Sequence, residues 1–342
     1  MVHAGTRRNL AEARAPAHLE TVKGRVALLS GTATLFPWGK AGEQRRDMQG
    51  RPGANLLRHY VEHSVDKATF ETVRKFGDAV GFIREPAKHG SHASGGAIPP
   101  DTDTEIHLTG FANGPHNYVK FKLGDENVKH SYPHQGDLEG TLERIRDARR
   151  MAQWVIVAMH NQDVPGDDPP EHAVIMYRAM IDAGADILIG TGPHQDRGIE
   201  IYKGKPIFYG IGNFINQNDT VLLEPAENYE NVGLSWEATP ADFYDKRAGY
   251  GGPGVGRPTK GQGVEPQVWQ NGMHRVRFEA GKLKEIRIYP VDSGFGKPRW
   301  QAGRPTLAQG DVAGEILARY QRLSKPFGTD VKIEGNVGLI EL

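Results

Sequence analysis

The chain of 342 residues is 38% hydrophobic and 25% charged, a composition that can bury a sizeable core as one large domain or two ordinary ones. Lys and Arg together number 42, as do Asp and Glu, and this balance gives no electrostatic footprint for nucleic acid or an anionic membrane. Cysteine is absent, which excludes disulfides, thiolate catalysis and Cys-ligated zinc. Any metal ligands must therefore be His, Asp, Glu or Asn.

No apolar run is long enough to cross a bilayer, and the first residues lack the apolar segment of a signal peptide. We therefore expect a soluble chain, and the sequence sets no compartment.

Four apolar runs bounded by turn residues predict short buried strands, at residues 26–30, 154–159, 186–190 and 206–210. Helical patterns alternate with them, which is typical of a layered α/β fold in which ligands gather at the carboxyl ends of the strands. His160, His194 and Asn213 each follow such a strand. We therefore expect these three residues to meet in one polar cleft.

Three helices are predicted from apolar periodicity. The first begins with Asp137 as its N-cap and carries Leu138, Leu142, Ile145 and Ala152 on one face. The second carries Val174, Tyr177 and Ile181 and stops at Gly184, a natural residue after a helix end. The third, near the C-terminus, carries Ile316, Leu317, Tyr320 and Leu323.

Two segments, residues 86–136 and 239–266, are rich in Gly and Pro and are interpreted as insertions. The first is a candidate for an excursion that covers substrate and the second for a mobile lid, and for each a solvated loop without a role is an equal alternative. The spacing of six histidines in the first segment fits no compact set of metal ligands, so they are predicted to be loop residues: His89, His92, His107, His116, His130 and His134.

The segments WVIVAMHNQD and IDAGADILIGTGPHQDRGIEIYKGKPIFYGIGNFINQ resemble the CapA family of poly-γ-glutamate capsule biosynthesis proteins, whose fold is related to the calcineurin-like metallophosphoesterases. Residues 4–30, 42–59, 286–308 and 335–342 extend the resemblance over nearly the whole chain. It implies a single α/β domain over residues 1–342 with α-β-β-α layers. The opening G-D, G-N-x-E and N-N-H elements of the family do not occur here, so we expect a domain that lacks its N-terminal strands.

The resemblance also implies a metal centre. His160 and His194 are the expected ligands of a divalent ion (Mn, Zn or Fe), which polarises a phosphoryl or carbonyl oxygen and generates hydroxide. Asp163 is the third catalytic candidate, as a ligand, an orienting carboxylate or a general base, and a plain Asx turn is its alternative. Gln162 and Thr191 stand where family members often carry histidine, in H-x-H-E and G-H-G-P-H. These departures predict reduced metal occupancy.

Four further residues are predicted to bind substrate: Asn161, Arg197, Glu200 and Asn213. The guanidinium fork of Arg197 suits a phosphate or a glutamyl carboxylate. An ion pair on the surface between Arg197 and Glu200 is the competing interpretation, and an ordinary turn residue is the alternative for Asn213.

Three functions follow as hypotheses. The chain is a metal-dependent hydrolase of phosphoester or amide bonds, a non-catalytic component that binds poly-γ-glutamate during assembly, or an inactive fragment. The expected partner is an anionic polymer or a phosphoester small molecule. A sheet without its first strands would expose an edge, so a homo-oligomer or a complementing N-terminal fragment is also expected.

Overall fold

The computed structural model describes residues 3–34, 37–81, 99–109, 118–162, 166–217, 219–250 and 258–342. The polypeptide divides into two compact units. Unit 1 comprises Met1–Val164 and Pro169–Ile189, and unit 2 comprises Pro165–Asp168 and Gly190–Leu342. Helices and several sheets occur together, which confirms the α/β class. The α-β-β-α layering and the single-domain organisation stay predictions.

Unit 1 contains the first ten described strands and the first four described helices. In chain order its elements are β1 (Thr6–Arg7), α1 (Leu10–Ala13), β2 (Ala17–Thr21), β3 (Gly24–Thr32), a 3-10 turn (Pro37–Gly39), β4 (Gly53–Ala54), β5 (His59–Val65), α2 (Lys67–Val80), β6 (Glu105–Thr109), β7 (Tyr118–Leu123), β8 (Val128–Pro133), α3 (Gln135–Met151), β9 (Trp154–His160), α4 (Glu171–Asp182) and β10 (Ile187–Thr191), whose last residues lead into unit 2.

Parallel pairing of β3 with β9 forms the centre of unit 1. The register runs from Val26 opposite Trp154 to Thr32 opposite His160, so both strands end at the same edge. β2 adds an antiparallel partner to β3, and β10 lies on the other side of β9. Three of the predicted strands are thereby confirmed. Their buried side chains include Ala27, Leu29, Val155, Val157, Met159 and Leu188.

A second sheet takes three of its four strands from the first segment interpreted as an insertion. Its strand order is β6-β7-β5-β8, with β5 parallel to β7 and antiparallel to β8. α2 covers one face through a small apolar core of Val65, Phe70, Ile106 and Leu108. Burial of these side chains stabilises the sheet, so residues 105–109, 118–123 and 128–133 form strands rather than a solvated loop.

This sheet corrects the interpretation of two histidines. The prediction that His107 and His130 are loop residues is wrong, because His107 lies buried on β6 and His130 lies on β8. His134 immediately precedes α3. His89, His92 and His116 lie outside the described residues.

The first predicted helix is confirmed, but its N-cap is not Asp137. α3 begins at Gln135, and Nδ1 of His134 accepts a hydrogen bond from the backbone N–H of Asp137 at 3.2 Å. Asp137 therefore lies in the first turn, and Ala152 lies just beyond the helix. The predicted apolar face is otherwise correct, with Leu138, Leu142 and Ile145 buried.

Ion pairs explain why Asp137 does not cap the helix. Its buried carboxylate accepts hydrogen bonds from Lys40 Nζ at 2.8 Å and from Arg58 Nε at 2.6 Å, and Arg14 Nη2 lies 3.6 Å away. Burial by itself raises the pKa of this carboxyl, but the hydrogen bonds from Arg58 and Lys40 outweigh it and lower the pKa to about 2. The carboxylate is thus committed to three cations contributed by other segments.

The second predicted helix is also confirmed. α4 ends at Asp182, and Gly184 follows with a φ of +117°, a conformation that favours glycine. Tyr177 and Ile181 are buried, as the apolar pattern predicted.

Unit 2 holds the remaining elements. They are β11 (Ile199–Tyr202), β12 (Lys205–Phe208), α5 (Ala226–Asn231), α6 (Pro240–Ala248), a 3-10 turn (Gly261–Val264), α7 (Pro266–Trp269), β13 (Gln270–Glu279), β14 (Lys282–Asp292), a 3-10 turn (Arg299–Gln301), β15 (Thr306–Leu307), α8 (Gly310–Ser324), a 3-10 turn (Lys325–Phe327), β16 (Lys332–Glu334) and β17 (Val337–Glu341).

The core of unit 2 lies between α8 and an antiparallel sheet. The strand order is β13-β14-β17-β16, and β15 also pairs with β14. α8 is the predicted C-terminal helix, and its apolar residues Ile316, Leu317, Tyr320 and Leu323 are all buried. β11 and β12 form an antiparallel hairpin, which confirms the predicted strand at residues 206–210 with its end at Phe208.

The second segment interpreted as an insertion, residues 239–266, contains α6 and a 3-10 turn. Residues 251–257 lie outside the described residues, and the role of this segment as a lid stays a prediction. Among the described helices, none combines the length and the apolar character that crossing a bilayer requires.

Candidate functional site at the His194 loop

The segment between β10 and β11 holds His194 in a strained backbone conformation. The φ angle is +114° at Gly192 and +60° at His194. A residue with a side chain rarely adopts this left-handed region, and doing so costs roughly 1–3 kcal/mol. Strain of this kind persists only where surrounding contacts hold the residue in place, and His194 makes such a contact.

An amide fixes the imidazole of His194. Its Nδ1 lies 3.0 Å from Oδ1 of Asn213. Nδ2 of Asn213 donates to the backbone oxygen of Val268 at 3.2 Å, which sets the orientation of the amide. Asn271 donates to the backbone oxygen of Asn213 at 3.0 Å and so holds the segment itself. Asn213 therefore has a tertiary role beyond that of an ordinary turn residue.

This contact selects one tautomer of His194. Oδ1 of Asn213 can only accept, so the proton of a neutral imidazole lies on Nδ1 and the lone pair lies on Nε2. An imidazole in this form can coordinate a metal or take up a proton through Nε2. The local geometry thus prepares His194 for a role as a ligand or a general base.

Asp196 is a buried carboxyl in the same loop that sequence reasoning missed. Nη2 of Arg319 donates to its Oδ2 at 3.2 Å. Burial raises the pKa of Asp196 to about 6, although the Arg319 guanidinium opposes the shift. Its position between two predicted site residues was the only signal in the sequence, because an Asp in a loop normally lies at the surface.

Arg197 and Glu200 are both buried, so the interpretation of a surface ion pair is wrong. Nε of Arg197 donates to the backbone oxygen of Gly166 at 3.2 Å. The carboxylate of Glu200 accepts from the hydroxyl of Tyr209 at 2.6 Å. These contacts join both side chains to the body of unit 2, and their predicted roles in substrate binding stay predictions.

His160 is the last residue of β9 in unit 1, where its side chain is exposed. Its backbone oxygen accepts from the N–H of Ala33 at 2.8 Å, which continues the pairing of β3 with β9 beyond Thr32. The position at the carboxyl end of a central strand is the predicted one. Its roles as metal ligand and catalytic residue stay predictions.

Asn161 is buried beside His160, and its Nδ2 lies 3.1 Å from Nε2 of His172 on α4. Nδ1 of His172 lies 3.0 Å from Oγ of Ser131, and the His172 ring stacks on that of His59 with 3.9 Å between centroids. A signal for His172 did exist, since it lies four residues before the buried Met176 on the same helix face. The predicted role of Asn161 in substrate binding stays a prediction.

Of the predicted site residues, the structure brings together His194 and Asn213 within unit 2. His160 belongs to unit 1, and its convergence with His194 stays a prediction. Asp163 lies outside the described residues. Within the parts of the chain that the structure describes, no three His, Asp or Glu side chains lie close enough together to hold a metal ion. The predicted divalent-metal site therefore stays a prediction as well.

Comparison with known proteins decides the family. The family described as bacterial capsule synthesis protein PGA_cap matches residues 1–218, well over half of the chain. The chain belongs to this family. The resemblance to CapA proteins is thereby confirmed, and the matched range includes His160, His194 and Asn213.

Several relatives are similar to this PGA_cap chain. Two proteins of Sinorhizobium fredii, y4sH and y4uA, are 33% identical over 351 residues, an alignment that covers all of this chain and 70% of each relative. The PGA biosynthesis protein CapA of Bacillus subtilis is 34% identical over 115 residues, which cover 32% of this chain and 30% of that protein. The capsule biosynthesis protein CapA of Bacillus anthracis is 38% identical over 75 residues, or 22% of this chain and 18% of that protein.

Proposed function

We propose that this chain is an accessory protein in the synthesis of a capsule polymer, and that the polymer is poly-γ-glutamate or a closely related anionic polyamide. Membership of the PGA_cap family supports this assignment. The two Bacillus relatives are named as a PGA biosynthesis protein and a capsule biosynthesis protein, and the first of these names supports the chemical class of the polymer.

His194 is the proposed chemical centre, and the contact of its Nδ1 with Oδ1 of Asn213 is the observation that carries the proposal. Oδ1 of Asn213 lies 3.0 Å from Nδ1, so a neutral imidazole carries its proton on Nδ1, and Nε2 is the atom that would coordinate a divalent cation. A bound Mn²⁺, Zn²⁺ or Fe²⁺ would polarise the phosphoryl or carbonyl oxygen of a substrate. Asn213 orients the imidazole, the backbone oxygen of Val268 sets the orientation of the Asn213 amide, and Asn271 holds the backbone oxygen of Asn213.

Binding of Mn²⁺ and cleavage of substrate test the proposal on the full chain. Titration calorimetry would measure the Mn²⁺ affinity, and chromatography would follow cleavage of a γ-glutamyl oligomer and of an aryl phosphodiester. His194→Ala should lose most of the Mn²⁺ affinity, and Asn213→Ala should weaken it by roughly 10–100-fold because the imidazole is no longer oriented. His3→Ala, at an exposed histidine in unit 1, is the matched control and should bind like the wild type. Equal Mn²⁺ affinity of the wild type and His194→Ala would exclude His194 as a ligand.

A second candidate function is polymer binding without cleavage. Thr191, at the end of β10, stands where family members often carry a histidine, so the loop offers fewer ligands for a two-metal reaction. A wild-type chain that binds the γ-glutamyl oligomer but neither retains Mn²⁺ nor cleaves either substrate would favour this candidate. A chain that binds neither Mn²⁺ nor the oligomer would contradict both functions.

A further inference from the structure

A cavity of about 390 Å³ opens in unit 2, and no predicted site residue lines it. Its walls come from residues 216–217 and 219–220, from residues 248 and 250, from residues 258 and 262–263, and from residues 269, 299–300 and 302. This volume lies within the range of small-molecule sites, roughly 300–1,000 Å³. All but Asn216 and Gln217 lie beyond residue 218, where the family match ends.

The walls are held in place by contacts of their own. α6 begins with a capping box formed by Thr239 and Asp242 and ends at Gly249, where φ is +71°. The hydroxyl of Thr259 donates to the backbone oxygen of Gly249 at 2.8 Å, which joins the residues on either side of the undescribed segment 251–257. The N–H of Asn216 donates to the backbone oxygen of Gly303 at 3.2 Å. These contacts hold the described parts of the wall in place.

The charges of the wall disfavour an anionic ligand. Nε of Arg299 donates to Oδ2 of Asp219 at 2.9 Å, and its Nη1 donates to the carboxylate of Asp245. Two carboxylates thus face one guanidinium, which leaves no excess positive charge for a phosphate or a polyglutamate chain. An anion entering here would also meet Asp219, which lines the cavity.

Aromatic faces form the apolar part of the wall. Nε1 of Trp269 already donates to the backbone oxygen of Gln262 at 2.9 Å, so its ring rather than its N–H remains for a ligand. Tyr250 packs beneath the guanidinium of Arg299, with 5.0 Å between Cζ and the ring centroid. Trp300 is 80% exposed and lines the cavity, so its indole ring is accessible to a ligand there.

Neutral amides and a carboxylate supply the polar part. The side chains of Asn216 and Gln217 carry both donors and acceptors, and Asp219 carries acceptors. An uncharged ligand with an apolar face and several hydroxyl groups matches this combination. We propose that the cavity binds a neutral saccharide of one or two rings, whose C–H face packs on Trp300 and Trp269 while its hydroxyls bond to Asn216, Gln217 and Asp219.

Saturation-transfer NMR on the full chain tests the saccharide site. The probes are maltose, cellobiose and N,N′-diacetylchitobiose at millimolar concentration, with a tri-γ-glutamyl peptide as the anionic comparison. At least one disaccharide should receive saturation on its ring protons, and the peptide should not compete with it. Trp300→Ala should weaken the binding by about tenfold or more, which corresponds to about 1.4 kcal/mol. This side chain is mostly exposed, so its removal leaves the fold intact.

Trp236→Ala is the matched control, since Trp236 is 91% exposed in unit 2 and does not line the cavity. It should bind the saccharide like the wild type. Binding by none of the three disaccharides would overturn the proposal, and so would equal weakening by Trp300→Ala and Trp236→Ala. Saturation of the γ-glutamyl peptide that Trp300→Ala abolishes would assign the cavity to the polyanion instead. None of these outcomes depends on Mn²⁺ or on His194, so the test is independent of the proposed function.

Discussion

Nδ1 of His194 lies 3.0 Å from Oδ1 of Asn213, although the two residues are 19 positions apart in the chain. The hairpin of β11 and β12 connects them, and α7 supplies the backbone oxygen of Val268 that orients the Asn213 amide. His194 makes this contact with a backbone φ of +60°, a left-handed conformation that is unfavourable for a residue with a side chain. Holding the imidazole in this position therefore has a conformational cost.

Substitutions at His194 should reveal that backbone cost. His194→Gly and His194→Ala remove the same imidazole, but only glycine adopts a φ of +60° without a steric penalty. The glycine variant should therefore have the higher free energy of unfolding, by roughly 1 kcal/mol, in urea unfolding monitored by fluorescence. Equal stability of the two variants would show that the strain is not stored at this residue.

Asp196 should make the stability depend on pH. Its pKa is raised by burial from 3.8 to about 6, so the folded state binds this proton more tightly than the unfolded state. The contribution of Asp196 is therefore fully present below about pH 4 and is lost as the pH rises through about 6. Relative to the wild type, Asp196→Asn should gain stability from about pH 4 to pH 7, by at most about 3 kcal/mol.

His274 makes the free energy of unfolding of the wild type rise with pH over the same range, which is opposite to the effect of Asp196. Burial lowers its pKa from 6.5 to about 4, so its contribution is lost as the pH falls below about 6.5. This contribution is the same in both proteins and cancels when urea unfolding of Asp196→Asn is compared with that of the wild type. A difference that stays constant or shrinks as the pH rises would contradict the assignment to Asp196.

Asp137→Asn should destabilise unit 1 strongly. The substitution leaves Lys40, Arg58 and the half-buried Arg14 without their shared buried carboxylate, and breaking a buried ion pair costs roughly 3–5 kcal/mol. Asp147→Asn on the exposed side of α3 is the matched control, because surface ion pairs contribute roughly 0–1 kcal/mol. Chemical unfolding near neutral pH would separate the two variants.

The pH dependence of the Asp137 effect has a definite sign. The pKa of this carboxyl is lowered to about 2, so its contribution is present above about pH 4 and is lost as the pH falls through about 2. The gap in unfolding free energy between the wild type and Asp137→Asn should narrow between about pH 4 and pH 2. A gap that is unchanged in acid would assign the loss to packing rather than to charge.

Two glycines in unit 2 should respond oppositely to alanine. A Cβ at Gly198 would lie 2.2 Å from the backbone oxygen of Leu323, so Gly198→Ala must displace α8 or β11 and should cost roughly 1–3 kcal/mol. A Cβ at Gly314, in the middle of α8, would meet no atom within 4 Å, and alanine there should stabilise the helix by roughly 0.5–1 kcal/mol. Thermal unfolding of the two variants would give shifts of opposite sign.

Local patterns predicted those elements that carry an apolar pattern of their own. The runs that became β3 and β9 pair in parallel in the middle of a sheet, where a largely continuous hydrophobic sequence is typical. The periodicity of α3, α4 and α8 was sufficient because each helix buries one apolar stripe. Gly184 could be recognised because a left-handed residue after a helix favours glycine.

Local sequence patterns could not predict ion pairs and hydrogen bonds between segments that are far apart in the chain. The capping preference favoured Asp137 over His134, but cations from three other segments bind that carboxylate in the folded chain. Charged residues are expected at the surface, yet Arg197 and Glu200 are buried because Gly166 and Tyr209 supply partners.

The candidate site was likewise predictable from the sequence only in part. The sequence by itself determined which chemically capable residues follow the strands, since an apolar run ending in His or Asn can be recognised locally. Only the tertiary structure decided that His194 adopts a left-handed backbone and takes Asn213 as its partner. The physical reason is that a hydrogen bond across 19 residues depends on the hairpin between them, and neither residue encodes that distance alone.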